Sequence, residues 1–151
     1  MLRQCLLKLS VPTSGEGFVD LTADLNREIS ASGLDTGVAV LACLHTSCSL
    51  TINENADPRV LADLATYLRA LGPEEGVKPI SGQGGLRAYS HADEGPDDMP
   101  AHIRTALTCT SLSLSFQNRR LLLGIWQAVY LWEHRRFGST RQLSFHLIGD
   151  S

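Results

Sequence analysis

The chain has 151 residues, 43% of them apolar and 19% charged, with a net charge of −3. That length and balance describe one globular domain able to bury its own core, and the negative charge argues against an electrostatic nucleic-acid binder. No stretch approaches the roughly 18 to 20 apolar residues of a membrane span, and the first residues lack the apolar core of a signal peptide, so a cytoplasmic protein is expected.

Residues 4–11 read as an opening strand, broken by the Pro12 to Gly17 stretch. A helix is expected next, capped by Asp20, with Leu21, Leu25 and Ile29 on one stripe and Gly33 as its stop. The apolar run 38–44 suits a central strand and leads directly into His45-Thr-Ser-Cys-Ser-Leu-Thr-Ile-Asn-Glu-Asn55. Taken as a strand, that segment sends His45, Ser47, Ser49, Thr51 and Asn53 to one face and Thr46, Cys48, Leu50 and Ile52 to the other. The row is either the wet side of a half-buried strand or one wall of a site. Alternation alone leaves both open, and whether it forms one bent strand with 38–44 or a second strand is equally open.

Asp57 and Pro58 announce a second helix, with Val60, Leu61, Leu64, Leu68 and Leu71 along one side and Gly72-Pro73 ending it. A long loop follows to Gly85. Asp97, Asp98 and Pro100 introduce a short third helix through Ala106 or Leu107, with His102 in its first turn. The rest reads as strands: Leu112, Leu114 and Phe116 alternate with serines, Asn118-Arg119 makes a turn, the run to Glu133 continues extended, and 143–148 closes the chain. About seven strands, many in hairpins, with three interspersed helices indicate an α+β domain.

The four cysteines, Cys5, Cys43, Cys48 and Cys109, form no C-x-x-C pair and read as buried reduced thiols. Of the histidines, His45 begins the polar row, while His91 and His102 flank an acidic turn. Brought together, three imidazoles would bind a borderline divalent ion and leave positions open for water or substrate. No self-sufficient metal motif is present, so satisfied surface or core histidines are the competing reading. Asp98 or Glu94 is placed to accept from a ligand imidazole, and an acid beside a metal can also shuttle protons. On a later strand, Gln127 and Glu133 share one parity and face either an exposed edge or a polar cavity. Arg135, Arg136 and Arg141 can bind phosphate or simply be solvated.

The motifs HTSCSLTINENADP (His45 to Pro58), H-x-x-E-G-P-D-D-M-P-A-H-I (His91 to Ile103), GIWQ (Gly124 to Gln127) and EHR (Glu133 to Arg135) together resemble the YjbQ family, also described as secondary thiamine-phosphate synthase enzymes. The resemblance implies two packed, mostly antiparallel sheets with about three flanking helices, assembled as a homotrimer. It further implies weak thiamine-phosphate synthase activity, in which an aminopyrimidine diphosphate and a thiazole phosphate join and pyrophosphate leaves. A divalent metal, Zn²⁺ or Mg²⁺, suits such chemistry because it neutralises the departing diphosphate. On this resemblance His45, His91 and His102 are the expected metal-binding residues. Thr46, Ser47, Ser49, Asn53, Asn55 and Gln127 are the expected substrate-binding residues, and Asp98 and Glu133 the orienting or acid/base groups. Two positions depart from the family pattern: Ile125 stands where threonine is common, and Asn118-Arg119-Arg120 replaces a glycine-containing turn. A non-catalytic trimeric binder of a metal or phosphorylated metabolite, or a metal-dependent phosphohydrolase, would use the same groups.

Overall fold

The computed structural model describes residues 1–151. The alternating first residues form β1 (Arg3–Pro12), which pairs antiparallel with the last strand of the chain. After the break comes a strand not foreseen in the sequence, β2 (Gly17–Asp20). Four residues are too few for alternation to register. The helix α1 (Thr22–Ser32) follows directly, and Asp20 Oδ1 accepts from the Thr22 amide at 2.9 Å. It ends at Gly33, whose φ of 75° is the left-handed conformation that glycine adopts without steric cost. Leu21, Leu25 and Ile29 are buried as the stripe predicts.

The apolar run and the polar row are two strands in two different sheets. β3 (Thr36–Cys43) and β4 (Cys48–Glu54) are separated by the link 44–47, so His45, Thr46 and Ser47 belong to a turn and not to a strand. α2 (Pro58–Leu71) starts as expected, with Asp57 Oδ1 accepting from the Arg59 amide at 3.0 Å. α3 (Asp98–Leu107) starts differently from its expected cap: the Asp97 side chain makes no cap bond and accepts instead from the Arg135 guanidinium and the Arg136 amide. β5 (Ser111–Gln117) turns through Asn118 and Arg119 into β6 (Arg120–Leu121), only two residues long. The expected continuous strand to Glu133 is therefore interrupted: 122–126 are irregular before β7 (Gln127–Glu133). β8 (Thr140–Asp150) completes the chain.

Two antiparallel sheets result, one of five strands in the order β1-β8-β3-β5-β6 and one of three in the order β2-β7-β4. The main core lies between them, with Leu41, Leu114, Phe116, Phe145 and Leu147 from the larger sheet against Leu50, Val129 and Leu131 from the smaller. Leu25 and Ile29 of α1 join it. On the other face of the smaller sheet, Ala65 and Leu68 of α2 pack against Trp132 and Phe18. The outer face of the five-stranded sheet is open, and Leu6, Val38, Val40 and Ile148 are exposed there. Cys48 is buried and Cys5 and Cys43 half-buried, but Cys109 is exposed, contrary to its expected burial. No helix is long and apolar enough to cross a membrane.

Candidate metal centre

The acidic turn before α3 folds His91 back over the first turn of that helix. His91 Nε2 lies 2.7 Å from Asp98 Oδ2, and His102 Nε2 lies 3.4 Å from Asp98 Oδ1. Asp98 and His102 share a helix face by their i, i+4 spacing. The donor atoms of His91, Asp98 and His102 all fall within 4.8 Å of one another. Asp98 is buried, while His91 is half-exposed and His102 partly so, which leaves the cluster open on one side.

The second nitrogen of His102 is committed: Nδ1 donates to the Thr46 carbonyl at 2.9 Å. A carbonyl only accepts, so Nδ1 carries a proton, and in the neutral ring Nε2 presents its lone pair to a carboxylate oxygen. Two acceptors so close require a proton or a cation between them. Two imidazole nitrogens, the His102 ring held by a carbonyl on its far side, with a carboxylate as third donor, are a donor set that fits a zinc-like ion. Magnesium, which prefers oxygen ligands, fits this set poorly.

Asp98 is oriented from behind by Arg135, whose Nη1 donates to Oδ1 at 3.0 Å. The same guanidinium donates through Nε to Asp97 Oδ2 at 2.9 Å and through Nη2 to the Glu94 carbonyl at 2.8 Å. Asp97 is buried, which raises its pKa, but hydrogen bonds from Arg135 and the Arg136 amide outweigh burial and hold it below the usual carboxylate range. One arginine at the end of β7 thus ties together the acidic turn and the start of α3.

The remaining sequence candidates divide between this centre and other places. His45 is apart from the cluster: the Gln142 amide donates to its Nε2 at 2.8 Å, and burial, with Arg141 nearby, lowers its pKa and keeps the ring neutral. It lines a cleft of about 480 Å³ together with Thr46, His102, Thr105, Thr108 and Thr110. Ser47 lines a second cleft with Arg135, Ser139 and Arg141. Ser49 is fully buried and shares a 2.8 Å hydrogen bond with His134 Nε2. Asn53 Oδ1 accepts from the Glu54 amide. Asn55 Nδ2 donates to the Ile125 and Gln127 carbonyls, and Gln127 Oε1 accepts from the Gly124 amide, so these two secure the irregular segment before β7. Glu133 is fully buried and accepts from Thr13 Oγ1 at 2.8 Å and from Arg141 Nε at 2.7 Å. Burial raises its pKa, but bonds from Arg141, the Arg135 amide and Thr13 prevail and hold it ionised.

Two features were not foreseen. His134, beside the recognised Glu133, is sealed under Trp132 with Nδ1 unpartnered, and burial first and then Arg104 push its pKa down to about 3. Beside Thr46, the His45 cleft is lined by Thr105, Thr108 and Thr110, which lie in no motif; Thr105 Oγ1 is buried with no partner.

Residues 7–150 match the family described as UPF0047 protein YjbQ-like. The chain belongs to this family. A UPF0047 protein of Synechocystis sp. is 43% identical over 142 residues, covering 94% of this chain and 90% of the relative. Among solved structures, a YjbQ/UPF0047 family protein of Clostridium acetobutylicum superposes with a TM-score of 0.78 at 30% identity, covering 93% of this chain and 98% of the other. A YbjQ-like protein of unknown function from Sulfolobus solfataricus shares the fold with a TM-score of 0.83 at 17% identity, covering 99% of this chain and all of the other.

Proposed function

We propose that this YjbQ-family chain is a metal-assisted transferase centred on His91, Asp98 and His102, joining an aminopyrimidine diphosphate to a thiazole phosphate with release of pyrophosphate. The observation that carries this reading is the convergence of His91 Nε2 and His102 Nε2 on Asp98, at 2.7 and 3.4 Å, while the other nitrogen of His102 donates to Thr46. A bound zinc-like ion supplies positive charge to a departing diphosphate. Arg135 keeps Asp98 pointed into the centre and borders the cleft lined by Ser47, Ser139 and Arg141, which suits the phosphate of one substrate. The threonine-lined cleft beside His45 and His102 offers neutral donors and acceptors to a heteroaromatic ring. Glu133 acts as an anchor for Arg141 and not as an acid/base group, since it is closed off from solvent.

We further assign the open face of the five-stranded sheet to self-association as a homotrimer. In its support, Leu6, Val38, Val40 and Ile148 form an exposed apolar patch across three neighbouring strands.

One observation favours a second reading, a non-catalytic binder of a metal or phosphorylated metabolite: Asp98 is committed to Arg135 and the two histidines, and Glu133 to Arg141, so neither carboxylate is a free base. Turnover of both thiamine precursors by zinc-loaded protein, compared with His91→Ala and His102→Ala, separates the two. The transferase reading expects a rate that falls at least about a hundredfold in each variant, the scale of a lost centre. Equal rates in all three proteins sink it. Stoichiometric zinc in the wild type, lost from His102→Ala, with no turnover in either, leaves the binder.

A further inference from the structure

Away from the metal centre, the β5–β6 turn and α1 enclose a cleft of about 500 Å³ lined by Asn26, Arg27, Ser30, Asn118, Arg119 and Arg120, with Ala23 its one apolar residue. We propose that this cleft binds a small soluble anion carrying two adjacent phosphates.

Charge is the first argument. Most arginines of this acidic protein sit against a carboxylate, as Arg59, Arg69, Arg104, Arg135, Arg136 and Arg141 do. Arg119 and Arg120 have no such partner. Arg27 gives Nη1 to Asp24 at 2.8 Å, and its other donors have no protein acceptor. One concave site therefore holds three guanidiniums against a single carboxylate, in a chain whose net charge is −3. That excess matches a diphosphate, and planar guanidiniums are the donors suited to phosphate oxygens.

Backbone strain is the second argument. Asn118 and Arg119 both have left-handed backbone, with φ of 55° and 61°. A two-residue turn of this kind is ordinarily met by Asn-Gly, and a non-glycine residue there costs about 1 kcal/mol. Asn118 meets the demand, but Arg119 stores strain at the wall of the cleft. Such strain persists only where the surrounding structure holds it, and it clusters at ligand clamps. The turn is itself pinned, since the Arg119 amide donates to the Asp35 carbonyl and Asn26 Oδ1 accepts from the Leu121 amide at 2.8 Å. The two adjacent arginines are thus presented from a rigid support.

A concave cleft in an acidic protein favours a soluble anion over a membrane surface, although a lipid headgroup presents the same phosphate chemistry. Calorimetric titration of the whole chain with inorganic pyrophosphate tests the site, in EDTA so that no divalent ion links the anion to His91, Asp98 and His102. Binding that depends on Arg119 and Arg120 is expected, apart from any at the Ser47, Arg135 and Arg141 cleft, tighter than for inorganic phosphate and weakened by salt. Arg119→Gly removes a guanidinium and relieves the turn, so it should melt at or above the wild-type temperature while binding pyrophosphate roughly tenfold more weakly. Arg120→Gln should weaken binding similarly without touching the strained position. No pyrophosphate binding, or equal affinity in wild type and both variants, overturns the proposal. So does capture by phosphatidylglycerol vesicles without binding of free pyrophosphate. None of these outcomes bears on the metal centre, which EDTA leaves empty throughout.

Discussion

At the scale of single residues, His134 gives the sharpest pH dependence. The unfolded chain protonates this imidazole near its ordinary value of 6.5, whereas the folded chain resists until about 3, through burial and then Arg104. Between those values the unfolded state holds more protons, so stability falls as pH falls through this window, by up to about 1.4 kcal/mol per pH unit. His45, lowered by burial, adds in the same direction. Glu133 and Asp97, held low by arginines, contribute stability above their unfolded values and lose it only at lower pH. Urea midpoints at pH 7, 6 and 5 should therefore decline, and His134→Phe should flatten the decline by close to one proton; an unchanged slope would contradict the assignment. Glu133 offers a second test. Glu133→Gln leaves Arg141 buried without its charge partner, which should cost about 3 kcal/mol, or roughly 6 to 12 °C in Tm. A shift within error would mean that the pair contributes nothing.

At the scale of elements, α3 is held at its start by a distant arginine and not by its own cap. Arg135 bonds Asp97, Asp98 and the Glu94 carbonyl together. Arg135→Ala should speed amide exchange across the first turn of α3 and, because Asp98 loses its orienting donor, weaken zinc binding roughly 10- to 100-fold. Unaltered exchange and affinity would show the arginine to be incidental. This tie also marks the limit of what the sequence carries. α2 was legible because Asp57, Pro58 and Gly72 are local signals, and α1 because Leu21, Leu25 and Ile29 keep a helical period. The pairing of His91 with His102 was approachable because both flank one short turn. The partners Asp97 with Arg135, Ser49 with His134 and Ser47 with Arg141 lie far apart in sequence and meet only in the folded chain. The polar row misled at its start for a physical reason: His45, Thr46 and Ser47 are polar because they turn between two sheets, and only from Cys48 does alternation mean a strand. His45 was grouped with the other two histidines for its place in that row, yet the turn sends its Nε2 to the Gln142 amide.

At the scale of the whole molecule, the two faces of the five-stranded sheet are unequal in an unexpected way. One closes the core, while the other exposes Leu6, Val38, Val40 and Ile148 with no helix over them. The register aligns these residues: Leu6 and Val40 both lie opposite His146, and Val38 lies opposite Ile148. Side chains opposite one another across neighbouring strands form one continuous surface, and the two rows make a patch of a kind that isolated domains seldom leave in water. Light scattering at micromolar concentration should accordingly report about three times the 16.4 kDa chain mass. Val40→Lys is the informative variant, because its side chain points away from the core and the substitution places a charge within the patch without opening a cavity. It should yield monomers with an unchanged far-ultraviolet dichroism spectrum. If the wild type is already monomeric, the assembly is wrong; if Val40→Lys stays trimeric, self-association uses another face and the exposed sheet must be covered by something else.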